Sequence, residues 1–250
     1  MLTNERFDLI LSLLTEKQTI KIQEIVDATS SSESTIRRDL TELENLGKLE
    51  RIFGGATIPS RQFMEPSISD KSTKNLQEKI HIAEYAASFV QEGDCIFLDA
   101  GSTILQMIPF LQDKKVVVVT NGLTHVESLN EFGIQTYLTG GFIKRRTGAL
   151  VGSQTIQSLE SYRFDLCFLG VNGFHADFGF TTPDPEEAAI KKLASSLAQK
   201  TFVVADHTKA NKVSFAKIMD INLAELIVNK IDKDTLETLT KKIIIKVAKS

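Results

Sequence analysis

The chain has 250 residues, of which 42% are hydrophobic and 24% are charged, and its formal net charge is −3. These fractions are typical of a globular protein and exclude a collagen-like or wholly disordered chain. The sequence contains no apolar run long enough to span a bilayer and no basic, apolar leader, so we expect a cytoplasmic protein without a membrane helix.

Three helices are predicted before residue 48. Apolar residues recur at three- and four-residue spacing over residues 5–15, over 21–28 and again beyond Ser32. Ser32 is a suitable N-cap for the third helix, and Gly47 is a suitable C-terminal stop. The apolar stripe of the third helix is formed by Ile36, Leu40, Leu43 and Leu46. Because only the polar residues 29–31 separate the last two helices, the spacing is typical of a helix-turn-helix.

The third predicted helix has a polar face opposite its apolar stripe. That face carries Ser34, Arg37, Arg38, Thr41 and Asn45. Hydroxyl, amide and guanidinium groups are the types that bond phosphate oxygens and base edges of DNA. The same pattern fits an amphipathic helix whose outer face is merely solvated, so the helix alone leaves both interpretations open.

A short hairpin is predicted after the third helix. Residues 49–53 and 56–58 are strand-like, and Gly54 and Gly55 separate them. Such a wing favours DNA binding, because a solvated surface helix has no need of it. The net charge of this segment does not favour DNA binding, since residues 1–58 carry seven Lys and Arg against ten Asp and Glu. Cations that contact DNA must therefore be concentrated on one face.

These residues resemble the DNA-binding end of the DeoR family of bacterial repressors. The resemblance rests on Arg6, Ile10 and Leu14, on Ser32-x-x-Thr35-Ile36-Arg37-Arg38-Asp39-Leu40, and on Arg51 with Gly54-Gly55-Ala56. The chain departs from the family at Phe53, where His commonly precedes the diglycine. The resemblance implies double-stranded operator DNA as a partner. The residues expected to contact it are Ser34, Thr35, Arg37, Arg38, Thr41, Arg51, Gly54 and Gly55.

Residues 59–75 are polar, contain two prolines and show no period, which predicts a linker. The predicted organisation is a winged helix-turn-helix domain over 1–58, this linker, and a second domain over 76–250. Each monomer would present one recognition helix, so we expect a homodimer or homotetramer that binds paired half-sites.

The second domain alternates predicted helices with short apolar strands. The first helix, over 76–90, is predicted to face inward through Ile80, Ala83, Ala87 and Val90. Strands are predicted over 95–98, 116–119, 136–138, 166–169, 201–205 and 226–228, with a further apolar run at 243–245. This alternation implies an α/β fold with a mostly parallel sheet covered on both faces. Cys95 and Cys167 lie in such strands, which favours buried thiols over a reactive or bonded pair.

Polar and glycine clusters follow the strands, at the end where ligands bind in such sheets. The sharpest cluster is residues 99–103, where a glycine, two hydroxyls and the start of a helix suit a phosphate group. A tight turn with a capping hydroxyl is the alternative. The residues expected to bind a ligand are Asp99, Gly101, Ser102, Thr103, Thr120, Asn121, Gly140, Gly141, Asn172, Gly173, Asp184, Glu186, Asp206 and Lys209.

Residues 181–188 allow two interpretations, and both can hold. Asp184 as N-cap, with Pro185 and acidic residues in the first turn, begins a helix well. Asp184 and Glu186 could equally accept hydrogen bonds from sugar hydroxyls, with Lys191 one turn later. Neither His81 nor His125 belongs to a pair with metal-site spacing, so both are interpreted as surface or packing residues, and no metal or cofactor is predicted.

The strand-end motifs extend the resemblance to the sensor domain of the same family, which is similar to sugar-phosphate isomerases and CoA transferases. The resemblance implies a phosphorylated sugar as effector. Residues 162–170 are most similar to repressors of fructose or lactose phosphotransferase operons, so fructose 1-phosphate is the first expectation and tagatose 6-phosphate the second. One alternative is a sugar-phosphate isomerase with an accessory N-terminal domain, in which Asp99, Glu186 and Asp206 are candidate bases. The other is a helix-turn-helix used only for protein contacts.

Overall fold

The computed structural model describes residues 2–17, 19–52, 54–57 and 68–248. The chain forms two compact units, Met1–Met64 and Glu65–Ser250, called unit 1 and unit 2 below. Across the described residues, every helix is too short or too polar to cross a bilayer.

Unit 1 contains the three predicted helices and three short strands. In chain order they are α1 (Thr3–Lys17), β1 (Thr19–Lys21), α2 (Ile22–Thr29), α3 (Glu33–Asn45), β2 (Glu50–Ile52) and β3 (Gly55–Thr57). Ile10, Ile25, Ile36 and Leu40 are fully buried between the helices, and burying such a side chain contributes about 1.5–3 kcal/mol. The predicted stripe is wrong at Leu46, which is 59% exposed. Because α3 ends at Asn45, Leu46 follows the helix as its C-cap.

The wing is a three-stranded antiparallel sheet in the order β1-β3-β2. The sequence predicted only the β2–β3 hairpin, which the diglycine turn indicates, whereas no such turn motif precedes the three-residue strand β1. Gly54 has a φ of +78°, and a Cβ at Gly55 would lie 2.1 Å from the carbonyl oxygen of Ile20. The diglycine is therefore required by the turn and by the close approach of β1. Phe53 and Ile58, which were predicted to belong to the strands of the hairpin, lie outside the described residues.

Unit 2 alternates helices and strands as predicted. Its helices are α4 (Ile68–Thr73), α5 (Leu76–Ala87), α6 (Ser102–Leu105), α7 (Val126–Glu131), α8 (Ser153–Glu160), α9 (Pro185–Ser196) and α10 (Lys233–Leu239). Its strands are β4 (Cys95–Leu98), β5 (Val117–Thr120), β6 (Gln135–Leu138), β7 (Phe142–Ile143), β8 (Leu150–Val151), β9 (Phe164–Gly170), β10 (Gly173–His175), β11 (Gly179–Thr182), β12 (Ala198–Ala205), β13 (Ala216–Met219), β14 (Glu225–Val228) and β15 (Ile245–Val247).

The core of unit 2 is a seven-stranded sheet in the order β15-β14-β12-β9-β4-β5-β6. Every neighbouring pair in it is parallel. Along β4, Phe97 packs into the apolar cluster on one face, and Ile96 and Leu98 pack into the cluster on the other. The predicted parallel sheet covered on both faces is confirmed.

Three parts of unit 2 were not predicted. They are the β7–β8 hairpin, the small antiparallel sheet β10-β11-β13 and the helix α4, which occupies part of the predicted linker. These elements show neither a hydrophobic period nor the continuous apolar run that predicted the equally short strands of the parallel sheet. Cys167 is buried and Cys95 half-buried, and both are free thiols. Burial raises the pKa of the Cys167 thiol well above its usual value, and the nearby Asp99 charge adds to this.

His125 is a packing residue at the carboxyl end of β5. Its ring is fully buried against Gly122, where a Cβ would lie 2.8 Å from Nδ1. The same Nδ1 lies 3.3 Å from the hydroxyl oxygen of Thr120. Burial lowers the pKa of His125 to about 4, although the charge of Asp99 and a backbone contact with Gly101 oppose this.

Protonation of His125 should destabilise unit 2 in acid. The pKa falls from 6.5 in the unfolded chain to about 4 in the folded one, so the unfolded state binds this proton first. Stability should be intact above pH 6.5 and should fall between pH 6.5 and pH 4 by about 3 kcal/mol. Urea unfolding of the wild type and of His125→Gln at pH 7 and pH 4 measures this. The variant should lose about 3 kcal/mol less than the wild type, and equal losses would contradict the assignment.

Candidate functional site

The outer face of α3 and the strand β2 form one concave surface in unit 1, called the α3 groove. It is lined by Arg37, Arg38, Thr41, Glu42, Asn45 and Arg51. The groove brings together four residues that the sequence predicted to contact DNA: Arg37, Arg38, Thr41 and Arg51. The lining contains three arginines and one carboxylate, that of Glu42, although residues 1–58 carry more acids than bases.

Hydrogen bonds connect the wing to α3 at the groove. The guanidinium of Arg51 donates to the hydroxyl of Thr41 at 2.9 Å, and its backbone N–H donates to the carboxylate of Glu44 at 2.9 Å. Arg37 pairs with Glu33 at 2.6 Å, and both side chains are exposed. Arg38 is exposed one residue further along the helix. The groove therefore combines a fixed cation at Arg51 with exposed cations on α3.

The orientation of α3 depends on a pair formed with α1. The guanidinium of Arg6 donates to both carboxylate oxygens of Asp39, at 2.7 Å from Nε and 3.0 Å from Nη2. The two side chains are only 12% and 6% exposed. A two-point contact of this kind fixes orientation as well as distance. It also holds the negative charge of Asp39 on the inner side of α3, away from the groove.

The remaining predicted DNA-contact residues lie outside the lining of the α3 groove. The backbone N–H of Thr35 donates to the hydroxyl of Ser32 at 3.2 Å, and the hydroxyl of Ser34 lies 3.0 Å from the same oxygen. Ser34 and Thr35 thus belong to the N-terminal cap of α3, while Gly54 and Gly55 shape the wing.

The second candidate site is a cavity in unit 2 at the carboxyl ends of β4, β9 and β12. Its volume is about 60 Å³. The predicted ligand residues that line it are Asp99, Gly101, Ser102, Thr103, Asn172, Asp206 and Lys209. Seven predicted residues thus converge, because parallel strands place all their carboxyl ends at one edge of a sheet.

Asp99 is the most buried charged group of the cavity. Its side chain pairs with Lys191 and accepts a hydrogen bond from the backbone N–H of Gly170 at 3.0 Å. Asp99 is 1% exposed and Lys191 5% exposed. The pair connects β4, β9 and α9, and because each charge is desolvated, each needs the other.

Two further lysines occupy the cavity wall. Lys79, on α5, donates to the hydroxyl of Ser102 at 3.0 Å and to the backbone carbonyl of Lys71. Burial lowers the pKa of both Lys79 and Lys209, while the carboxylate of Asp206 opposes the shift in each case. The pKa of Asp206 is itself lowered: burial raises it, but the hydroxyl of Thr208 and the nearby lysines outweigh that effect.

The charges of the cavity favour an anion. Its lining contains four lysines, at positions 71, 79, 191 and 209, and three carboxylates, at positions 99, 187 and 206. Hydroxyls of Ser102 and Thr103 and the amide of Asn172 add neutral hydrogen-bonding groups. An excess of one lysine over the carboxylates of the lining, next to hydroxyls, suits a phosphate group attached to a polyol.

Thr120 and Asn121 do not line the cavity but support it. The side-chain carbonyl of Asn121 accepts from the N–H of Ala100 at 3.1 Å, and its amide donates to the carbonyl of Leu150 at 3.2 Å. The hydroxyl of Thr120 donates to the carbonyl of Leu98 at 2.6 Å. Both residues therefore fix the loop that follows β4.

Three further glycines that were predicted to bind a ligand, Gly140, Gly141 and Gly173, have close contacts with other parts of the chain. A Cβ at Gly141 would lie 2.2 Å from the hydroxyl of Thr155, and one at Gly173 would lie 2.2 Å from the carbonyl oxygen of Lys212. The carbonyl of Gly140 accepts from Thr155 at 2.7 Å. None of these three glycines is in the lining of the cavity.

The structure places Asp184 and Glu186 outside the cavity as well. Asp184 caps α9 by accepting from the N–H of Glu187 at 2.9 Å, and it pairs with Lys144. Glu186 is exposed. Glu187 lines the cavity instead, and its carboxylate accepts from the hydroxyl of Thr147 at 2.8 Å. The helical turn that begins at Asp184 points position 187 inward and position 186 outward.

Two residues of the cavity were missed although the sequence carried a signal for them. Lys79 lies on the buried stripe of α5 with Ile82, Ala83 and Ala86, whereas the predicted Ile80 is only half-buried. Glu187 is similarly buried on α9. A charged residue in phase with an apolar stripe indicates a buried functional group, because an unpaired charge is costly inside a protein.

Breaking the Asp99–Lys191 pair should destabilise unit 2. Asp99→Asn leaves the lysine charge buried without its partner, so the free energy of unfolding should fall by about 3 kcal/mol. Replacing Lys191 by Met in the same chain should recover part of that loss. Urea unfolding of the two variants tests this. A loss below about 1 kcal/mol in Asp99→Asn would show that the pair is not desolvated.

Comparison with known proteins gives matches in both units. A family model described as a DeoR-like helix-turn-helix domain matches residues 6–62, and one described as a DeoR C-terminal sensor domain matches residues 74–230. A relative from Bacillus subtilis, described as the uncharacterized HTH-type transcriptional regulator FruR, is 46% identical over 100% of both chains. The lactose phosphotransferase system repressor of Staphylococcus aureus strain N315 is 34% identical over 94% of this chain and 96% of its own.

Solved structures match only part of the chain. Ribose 5-phosphate isomerase A from Methanocaldococcus jannaschii aligns over 55% of each chain with a TM-score of 0.42 and 17% sequence identity. A likeness of this size says nothing about activity.

Proposed function

The chain belongs to the DeoR family, and from that membership we propose that it represses a sugar-utilisation operon under the control of a phosphorylated sugar. It is a transcriptional regulator with a DNA-binding helix-turn-helix domain and a C-terminal sensor domain. The observation that supports the effector proposal is the excess of lysines over carboxylates in the cavity lining of unit 2, next to the hydroxyls of Ser102 and Thr103.

The α3 groove is the surface that we propose for the operator. α3 would enter the major groove, with Arg37 and Arg38 reaching phosphates or guanine edges and Arg51 contacting the backbone. One such helix per chain gives limited affinity and specificity. We therefore propose a homodimer or homotetramer that binds two half-sites.

Arg38→Ala should weaken operator binding and reduce its salt dependence. Loss of one phosphate contact should lower the slope of log affinity against log salt concentration by about one. Gel shifts on the DNA upstream of the operon that contains this gene, at several salt concentrations, measure the slope. Lys48→Ala is the matched control, because Lys48 is exposed and lies outside the groove lining.

The two variants separate DNA binding from a helix-turn-helix that serves only protein contacts. Arg38→Ala and Lys48→Ala remove the same charge from the same unit, so general electrostatics affects them alike. Equal salt slopes in the two variants would contradict the assignment of the groove. The absence of any shift on that DNA would count against autoregulation.

Fructose 1-phosphate is the effector that we propose first, and tagatose 6-phosphate is the second. The names of the relatives, FruR and lactose phosphotransferase system repressor, support these two sugars. Within unit 2, the proposed contacts to the phosphate are Lys79, Lys209 and Ser102. The isomerase alternative is not favoured, since these relatives are named as regulators. Turnover of fructose 6-phosphate by the full chain would revive it.

Fructose 1-phosphate should bind the full chain, whereas fructose without a phosphate should not. Lys209→Met should weaken the binding about tenfold or more, because a hydrogen bond to a charged group is worth about 1.5–3 kcal/mol. Isothermal titration of both sugars, with tagatose 6-phosphate as the competing candidate, measures this.

The matched control is Lys233→Met, which removes a lysine that is 86% exposed and lies outside the cavity lining. It should bind fructose 1-phosphate as the wild type does. Equal binding of fructose and fructose 1-phosphate, or an unchanged affinity in Lys209→Met, would contradict the proposed phosphate site.

A further inference from the structure

The strand β6 is one edge of the seven-stranded sheet of unit 2. Among the described strands it pairs with β5 alone, and it stands at one end of the strand order. An edge strand presents unpaired N–H and C=O groups, which natural sheets commonly protect with a charged residue or a proline. The strand at the opposite edge, β15, carries Lys246 at its centre. The strand β6, which reads Gln-Thr-Tyr-Leu, contains neither kind of residue.

The backbone groups of Thr136 and Leu138 point away from the sheet. The N–H of Thr139 donates to the carbonyl of Thr120, at the end of β5, at 3.1 Å. Backbone groups alternate in direction along a strand, so those of Tyr137 also face β5. The N–H and C=O groups of Thr136 and Leu138 therefore face outward, where another strand could pair with them.

The stretch of chain around β6 is uncharged and exposes apolar side chains. Residues 132–143 contain no Asp, Glu, Lys, Arg or His. Four large apolar side chains in this stretch are exposed, those of Tyr137, Leu138, Phe142 and Ile143. The most exposed of them is Phe142, at 72%. Apolar side chains exposed so close together along the chain indicate an interaction surface.

We propose that β6 pairs antiparallel with β6 of a second copy of this chain, across a two-fold axis, and that this contact joins the proposed homo-oligomer. The inference rests on the proposed function, in which two recognition helices bind one operator. A two-fold contact uses the same patch on both copies, so each charge near the axis meets its own copy. An uncharged strand meets itself without repulsion, which favours a second copy over a charged partner.

One antiparallel register satisfies all the outward backbone groups within β6. It places Thr136 of each copy opposite Leu138 of the other, and each such pair exchanges both of its N–H···O bonds. Shifting the register by two residues in either direction leaves Thr136 or Leu138 opposite a residue beyond the strand. The satisfied register puts Tyr137 on the two-fold axis.

Tyr137 on the axis would form an aromatic pair with its own copy. Residues opposite each other between hydrogen-bonded pairs have Cα atoms about 4.5 Å apart, so their side chains touch. The ring of Tyr137 already lies 5.9 Å from the ring of Tyr162, measured between centroids. Cross-strand aromatic pairs stabilise a sheet, so Tyr137 is the residue on which the contact depends most.

A charge-swap experiment on the full chain tests the pairing. Tyr137→Lys and Tyr137→Glu each set like charges against each other on the axis, so each should raise the dissociation constant of the contact by about a hundredfold or more. In sedimentation, each variant should have half the mass of the wild-type assembly, whether the wild type is a dimer or a tetramer. An equimolar mixture of the two variants should recover the wild-type mass, because Lys then faces Glu.

The matched control is Phe178→Lys, which also replaces an exposed aromatic residue of unit 2 by lysine. Phe178 is 57% exposed and lies between β10 and β11, outside residues 132–143. Its assembly should keep the wild-type mass. A halved mass in this variant as well as in Tyr137→Lys would overturn the assignment of the contact to β6.

Hydrogen exchange of the wild type tests the contact without any variant, and it decides alone if the Tyr137 variants do not fold. Dilution that dissociates the assembly should speed exchange over residues 135–139 by about five- to tenfold, the amount expected for one lost hydrogen bond. Exchange over β14, which lies inside the sheet, should not change. Equal exchange over residues 135–139 before and after dissociation would overturn the pairing.

Operator binding distinguishes failure of the pairing from failure of the proposed function. A mass that Tyr137→Lys leaves unchanged, or that the mixture does not recover, overturns the pairing, while a gel shift by the wild type leaves the proposed function intact. Halving and recovery of the mass without any gel shift supports the pairing and contradicts the proposed operator. A wild type that sediments as a monomer overturns the pairing and the proposed homo-oligomer together.

Discussion

The carboxylate of Asp99 is the constraint on which the cavity of unit 2 depends. It lies at the end of a central strand, is 1% exposed, and holds both the ammonium of Lys191 and the N–H of Gly170. A charge this buried is stable only with its partners in place, so the end of β4, the end of β9 and the middle of α9 must meet at one point. The glycines, hydroxyls and other lysines of the cavity are arranged around that point.

Local placement of charge explains how an acidic chain can contain two surfaces that we propose as sites for anions. The net charge is −3, yet arginines dominate the α3 groove and lysines outnumber carboxylates in the cavity. In unit 1 the arrangement depends on Arg6, which holds the charge of Asp39 on the inner side of α3. In unit 2 the arrangement of charge depends on burial. Removing a lysine from water disfavours its charged form unless an anion lies close to it. Bulk charge is thus a poor guide to partners here.

The sequence predicted the secondary structure well where helices are long enough to show a period and where strands form continuous apolar runs. The three helices of unit 1 and the strands of the parallel sheet were recovered, and the predicted Cys95–Leu98 strand has the bounds observed for β4. Predictions failed for β1, α4 and the small antiparallel strands, which show neither a period nor a continuous apolar run like those of the parallel sheet. Leu46 and Ile80 were predicted to be buried because their spacing fits the apolar stripes of α3 and α5. Only the helix end and the packing partner show where a stripe stops.

The sequence by itself determined which loops could bind a ligand. Glycines, hydroxyls and charged residues follow the apolar strands, and the carboxyl ends of parallel strands lie at one edge of a sheet. The same holds for the cations of α3, whose helical phase is set by Ile36 and Leu40. Tertiary structure decided which of these residues share a cavity. Asp184 and Asn121 carry polar groups that could bind a ligand. Instead, their side-chain oxygens accept hydrogen bonds from the backbone N–H groups of Glu187 and Ala100. Lys79 enters from a helix distant in sequence, and only packing brings it to Ser102, since contact across 23 residues depends on the fold and not on local spacing.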